Sequence, residues 1–177
     1  MDTENAPDVA TAAEPAPTTW CPSGQALAPE AVVLGVRSRS DGTLAYLATP
    51  APARELLPMI PDGIEPSRVL RFASHCVSEC AHRRNNDCTL VDKIRTLPAA
   101  DEQPLPRCHL RARCQWWQQT GRAACGRCPA VSTSVHASDT LNALIADPAV
   151  TPDQLQEWID GSPEGPAADA RAARAAG

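Results

Sequence analysis

Cys108-His109-Leu110-Arg111-Ala112-Arg113-Cys114, then Gln115 to Ala124 (QWWQQTGRAA), then Cys125-Gly126-Arg127-Cys128-Pro129, is the stretch on which the reading of this chain turns. Cys125 and Cys128, two residues apart and followed by Pro129, form a pair that can bite one metal, or two irons of one cluster, from a tight turn. The commonest zinc sites join two such turns, and this chain has one. Cys108 and Cys114 supply a less regular second half, and that spread suits a cubane cluster at least as well as tetrahedral zinc. Cys-x-x-Cys also serves redox-active disulfides, but no βαβ pattern surrounds it and five further cysteines stand nearby.

Working outward, seven of the eight cysteines lie between Cys76 and Cys128, with His75, His82 and His109 among them. The gaps between successive cysteines are three, seven, nineteen, five, ten and two residues. The ligands divide into two groups. Cys108, Cys114, Cys125 and Cys128 form a set suited to a [4Fe-4S] cluster. Cys76, Cys80 and Cys88, completed by His82, form a second set for zinc or a further cluster, with structural thiols and a histidine satisfied by a backbone carbonyl as the plainer reading. A single site drawing on both groups stays open. His75 and His109 read as surface or supporting residues. Cys21, far from the rest in Trp20-Cys21-Pro22, reads as a spare thiol.

Composition explains the need for such staples. With one Phe, one Tyr, eighteen prolines and much of its apolar content in alanine, the chain of 177 residues has little large side chain to bury. Small domains short of core are held by disulfides or metal. Taking Met1 as the start, residues 1–19 (MDTENAPDVATAAEPAPTT) lack the apolar centre of an export signal, and no stretch approaches a membrane span. The expectation is a cytoplasmic protein without a membrane partner, in which clustered thiols act as ligands.

Charge follows the same division. Arg68 to Cys128 carries ten Arg and one Lys against five acids, a surplus of six, whereas residues 1–67 carry minus six and 129–177 minus five. A basic block can dock nucleic acid. It can equally compensate four thiolates on a metal or cluster, a group of net charge about minus two. Compensation is favoured, because Arg107, Arg111, Arg113, Arg122 and Arg127 stand among the cysteines of an acidic chain.

The pattern predicts a small irregular α+β domain stabilised by metal or cluster, with a short N-terminal β-hairpin, short helices and disordered ends. Residues 1–28 read as a disordered acidic Ala/Pro-rich tail and 162–177 as another. In 29–70, AVVLGVRS and TLAYLAT flank Arg39-Ser40-Asp41-Gly42 as a hairpin; a short helix near 53–57 and a third strand at 69–72 follow. Within 71–133, Ser74 is expected to cap a helical turn carrying Cys76 and Cys80 on one face. Helices are also expected over 89–97 and 110–119, the latter aligning Leu110, Cys114 and Trp117. In 134–161, two packing helices are expected, at 138–146 and from Thr151-Pro152 to Gly161.

The run from Cys108 to Gly121, with Ala124-Cys125-Gly126-Arg127-Cys128-Pro129, resembles the C-terminal signature of a group of small, poorly characterised bacterial cysteine-rich proteins, some labelled nitrogen-fixation-like or iron-sulfur proteins. The likeness takes in Phe72 to Cys88 and spans about residues 70–133. It implies a shared cofactor rather than a particular activity. In that group a histidine closely follows the second cysteine, as His82 follows Cys80.

Three functions are weighed. The first is an iron-sulfur protein in electron transfer or redox sensing, with an unidentified redox partner and Trp116 and Trp117 limiting water at the cluster. The second is a zinc-stabilised module binding nucleic acid or a protein partner, the tryptophans stacking on bases. The third, an enzyme, finds little support, since no Ser/His/Asp set, phosphate-cradling loop or carboxylate pair is present.

Overall fold

The computed structural model describes residues 18–38, 43–98, 104–134 and 139–162. In chain order the elements are strands β1 (Trp20–Cys21), β2 (Val32–Arg37) and β3 (Leu44–Pro52), helix α1 (Ala53–Leu56), strands β4 (Leu70–His75), β5 (Arg83–Arg84) and β6 (Asp87–Cys88), and helices α2 (Leu90–Thr96), α3 (Gln115–Thr120), α4 (Arg122–Arg127), α5 (Thr140–Ala146) and α6 (Pro152–Gly161). This is the α+β architecture expected from the sequence. The hairpin turn at 39–42 and most of both tails lie outside the described residues.

Four strands form one antiparallel sheet in the order β1-β4-β2-β3. Consecutive side chains of β2 point to opposite faces of the sheet, and a register shift interrupts its pairing between Val33 and Gly35. Val33 joins Ala31, Ala53 and Phe72, while Leu34 joins Trp20, Ala73 and Leu110. Gly35 is required there, since a Cβ would stand 2.5 Å from the Ala45 carbonyl oxygen. The largest core lies among the helices, where Trp116 is enclosed with Leu90, Ile94, Ile145, Leu155 and the thiols of Cys114 and Cys128.

Local chemistry ends the helices as the sequence suggests. Thr151 and Gln154 form a reciprocal capping box at α6 with Pro152 at its first position. Asp139 accepts from the Asn142 N–H at α5. Lys93, buried on α2, donates to the carbonyls of Leu144 (3.4 Å) and Asp147 (2.5 Å), closing the end of α5. Burial is the main force lowering its pKa.

Three local expectations differ. Residues 18–28 are not a tail: Trp20 is buried, and β1 pairs Trp20 with His75 and Cys21 with Ser74. Ser74 caps no helix, because β4 continues through it and its hydroxyl accepts from the Gln25 N–H. The expected helix at 110–119 is broken at Cys114, whose extended ψ of 125° separates a 3-10 turn (Arg111–Arg113) from α3.

Gly24 holds the new edge strand in place. Its N–H donates to the Phe72 carbonyl at 3.2 Å, and a Cβ would lie 2.2 Å from the Ser74 nitrogen. Backbone, unlike a flexible side-chain end, has nowhere to yield. Gly24→Ala is expected to lower stability by about 1–3 kcal/mol, read as a reduced urea midpoint at unchanged slope. A wild-type midpoint would show that β1 is not held by this contact.

Candidate metal centre

The four C-terminal cysteines belong to different local structures. Cys108 precedes the 3-10 turn, Cys114 stands at the N-terminal end of α3, Cys125 lies within α4 and Cys128 opens the 3-10 turn after it. Gly121, with φ of 56°, makes the sharp junction between α3 and α4 that folds the second pair back toward the first. Each thiol feels others of the set: Cys108 interacts with Cys125 and Cys128, and Cys114 with Cys108 and Cys128.

Cationic and hydroxyl donors surround them. Arg71, a buried residue of β4, directs Nη2 to Cys128 Sγ at 3.6 Å; its Nε donates to the Pro22 carbonyl at 2.6 Å and its Nη1 to that of Val131. The guanidinium carbon lies 6.0 Å from the Trp116 ring centre. No carboxylate among the described residues forms an ion pair with it. Tyr46 Oη donates to the same sulfur at 3.8 Å. Arg37 binds the Pro129 and Val131 carbonyls, its pKa lowered by burial and by Arg71 and partly restored by Cys128. Arg111 reaches Cys125, and Arg122 acts on it electrostatically. Of the arginines singled out from sequence, Arg127 is committed elsewhere, to the Leu97 and Ala123 carbonyls; Arg113 lies over Trp20, 5.5 Å from the ring centre.

A second gathering of thiols lies at the other end of β4. Cys76, Cys80 and Cys88 share a cavity of about 410 Å³ with His82 and with Cys21. The turn after β4 is not helical; the Cys76 N–H continues the sheet by donating to the Thr19 carbonyl at 2.9 Å. Cys88 is presented by the β5-β6 hairpin, whose position depends on α3: Gln119 accepts from the Cys88 N–H at 2.8 Å, and Gln115 donates to the Asn86 carbonyl at 2.9 Å. Neither glutamine stood out in sequence. The His82 ring faces the Ala146 carbonyl through Nε2 at 2.9 Å, leaving Nδ1 buried without a partner. Burial, followed by Lys93, lowers its pKa.

Two other buried donors lack a geometrically full hydrogen bond, Trp116 Nε1 and Arg111 Nε. Both belong to residues that act on thiols, Trp116 on Cys88 and Arg111 on Cys125. A thiolate or sulfide acceptor beside them would relieve the cost of an unpaired buried N–H. Among the described residues, no three His, Cys, Asp or Glu side chains draw close enough to enclose a single metal ion.

His75 also lines the cavity of the second set, with its N–H given to Glu30 at 2.8 Å and its ring 4.6 Å from that of Trp20. No helix of the described residues is long and apolar enough to cross a membrane. Compared with family models, curated proteins and solved structures, the chain finds no match.

Burial raises the thiols of Cys88, Cys108, Cys114 and Cys125, Cys114 to about 12. Cys76 moves the other way, to about 7, chiefly through its hydrogen bond with Cys21. For a raised thiol the unfolded chain loses its proton first, near pH 8.5. Its stabilising contribution is whole below that value and is lost as pH rises through the folded value. For Cys76 the contribution is present above the unfolded value and lost as pH falls through about 7. Reduced, metal-free protein is therefore expected to lose stability to urea between about pH 8 and about pH 10, Cys114 alone supplying about 2 kcal/mol of the loss. Cys114→Ala should flatten this dependence, and an unchanged slope would refute the assignment.

Proposed function

We propose that the chain is an iron-sulfur protein of electron transfer or redox sensing, in which Cys108, Cys114, Cys125 and Cys128 hold a [4Fe-4S] cluster in a reducing cytoplasm. Arg71 is the observation that carries this reading. A guanidinium does not lose its charge in a protein, and burying it without an anion is costly. Arg71 is buried, has no carboxylate ion pair among the described residues and directs a donor to Cys128. Four thiolates around an oxidised four-iron core would supply the missing negative charge, about minus two overall.

The donor set supports the same choice. One two-residue turn, Cys125 to Cys128, joined to the wider Cys108 and Cys114 pair is an irregular spread that suits a cubane at least as well as tetrahedral zinc. When bound, such a cluster supplies one-electron chemistry, at a potential set by nearby charge, hydrogen bonds to sulfur and exposure. The chain's own part is to set those conditions. Arg71 and Tyr46 donate toward sulfur, Arg37 and Arg111 add positive charge, and the indole of Trp116, 1% exposed, excludes water. These donors favour the form carrying the extra electron, and the partner would be a redox protein or small carrier in the same compartment.

Protein purified without oxygen is expected to contain at least four irons and four sulfides per chain, with a broad band near 400 nm that bleaches on reduction. A colourless protein holding one or two zincs would replace this reading with the zinc-stabilised module. Arg71→Gln should shift the midpoint potential to more negative values in a redox titration, with Arg71→Lys shifting it less because the charge remains. A potential unmoved in both would remove Arg71 from the site.

A further inference from the structure

The cavity at the far end of β4 offers a fourth cysteine that sequence spacing hides. Cys21 is 55 residues from Cys76, yet antiparallel pairing of β1 with β4 sets it opposite Ser74, two positions from Cys76. The Cys76 N–H then closes on the Thr19 carbonyl, two residues before Cys21. Cys21 and Cys76 line the same cavity, and the two act on each other electrostatically, while Cys88 acts on Cys21 and Cys76 on Cys88. Cys80 lines the same cavity and acts on Cys88.

We infer that Cys21, Cys76, Cys80 and Cys88 form a second four-thiolate site, for another [4Fe-4S] cluster, with Cys21 rather than His82 as the fourth ligand. This rests on the iron-sulfur reading of the chain. The cavity that the four cysteines line, of about 410 Å³, has room for a polynuclear group. Cations flank it, with Arg83 beside Cys76 and Lys93 near Cys88. The Trp116 indole N–H, without a full partner, acts on Cys88. Each thiol would give its proton to solvent on ligation, leaving four thiolates for the iron.

His82 sits differently. Its Nε2 is engaged by the Ala146 carbonyl, and the charged groups bearing on the ring are Lys93, Arg84 and Asp147. It forms the wall of the cavity on the α5 side.

The test is iron and sulfide content of the full chain purified without oxygen, for wild type, Cys21→Ser, His82→Gln and Cys108→Ser. The proposal expects about eight irons in wild type and His82→Gln, and about four in Cys21→Ser and in Cys108→Ser. About four in wild type and Cys21→Ser, with none in Cys108→Ser, would overturn the second site while leaving the first intact. Loss of half the iron in His82→Gln but not in Cys21→Ser would overturn the choice of ligand, and one zinc retained only when Cys21 is present would overturn the cluster. Absence of iron from wild type would instead defeat the underlying reading. A second measurement on unaltered protein guards against misfolded variants: alkylation followed by mass spectrometry, before and after iron is chelated. Cys21 should be protected with Cys76, Cys80 and Cys88 and become reactive with them when iron is removed. Equal alkylation of Cys21 in both states would overturn its role.

Discussion

A buried positive charge aimed at sulfur is the constraint around which this molecule is arranged. Arg71 reaches from the start of β4 to three places distant in sequence, the carbonyl of Pro22 beside β1, that of Val131 beyond α4 and the thiol of Cys128. Each contact satisfies a guanidinium donor that would otherwise be stranded. Together they fasten the sheet to the helical half. The same strand ends at His75, one residue before Cys76, so the residue that organises one thiol set rides on the element that delivers the other.

Helix α3 makes the matching connection from the opposite side. It begins immediately after Cys114, and Gln115 and Gln119 of its first two turns hold the β5-β6 hairpin that presents Cys88. Trp116 lies between, enclosed by α2, α5 and α6 on one side and under Arg71 on another. An isolated parallel bridge between Trp20 and Cys114 adds β1 to this joint. Six residues of helix are too few to be stable alone, so α3 exists because both thiol-bearing segments pack on it. A chain with one Phe and one Tyr thus concentrates its few large side chains and its sulfurs in one place.

What could be read from sequence was what local spacing determines. The strands β2 and β3 flanking Asp-Gly, α2 and α6 follow from period and capping, and in the sequence Cys108, Cys114, Cys125 and Cys128 group by proximity along the chain. Long-range pairing carried the remainder. Cys21 looks solitary until β1 is laid against β4. Arg71 looks like any polar residue of a strand until both faces of the sheet are seen to be covered. The helix expected to carry Cys76 and Cys80 is absent because the Thr19 carbonyl captures the Cys76 N–H and prolongs the sheet. Cys114 interrupts a helical pattern that was otherwise sound, its extended ψ directing the thiol toward Cys128 instead of along the helix face.

These features give folding and ligation a common electrostatic origin under the proposed assignment. In the metal-free chain burial favours the neutral thiol at Cys108, Cys114 and Cys125, raising Cys114 to about 12, and no carboxylate among the described residues forms an ion pair with Arg71. That state carries an uncompensated cation, an arrangement costing several kcal/mol in protein interiors. Ligation would release four thiol protons to solvent, and Arg71, Arg37 and Arg111 would offset the negative charge of the thiolates. The residues that burden the empty fold are then those that stabilise the filled one, so binding and folding free energies are coupled. Under that assignment an occupied thiol set would contribute the stability that a chain with one Phe and one Tyr draws only in part from its apolar core.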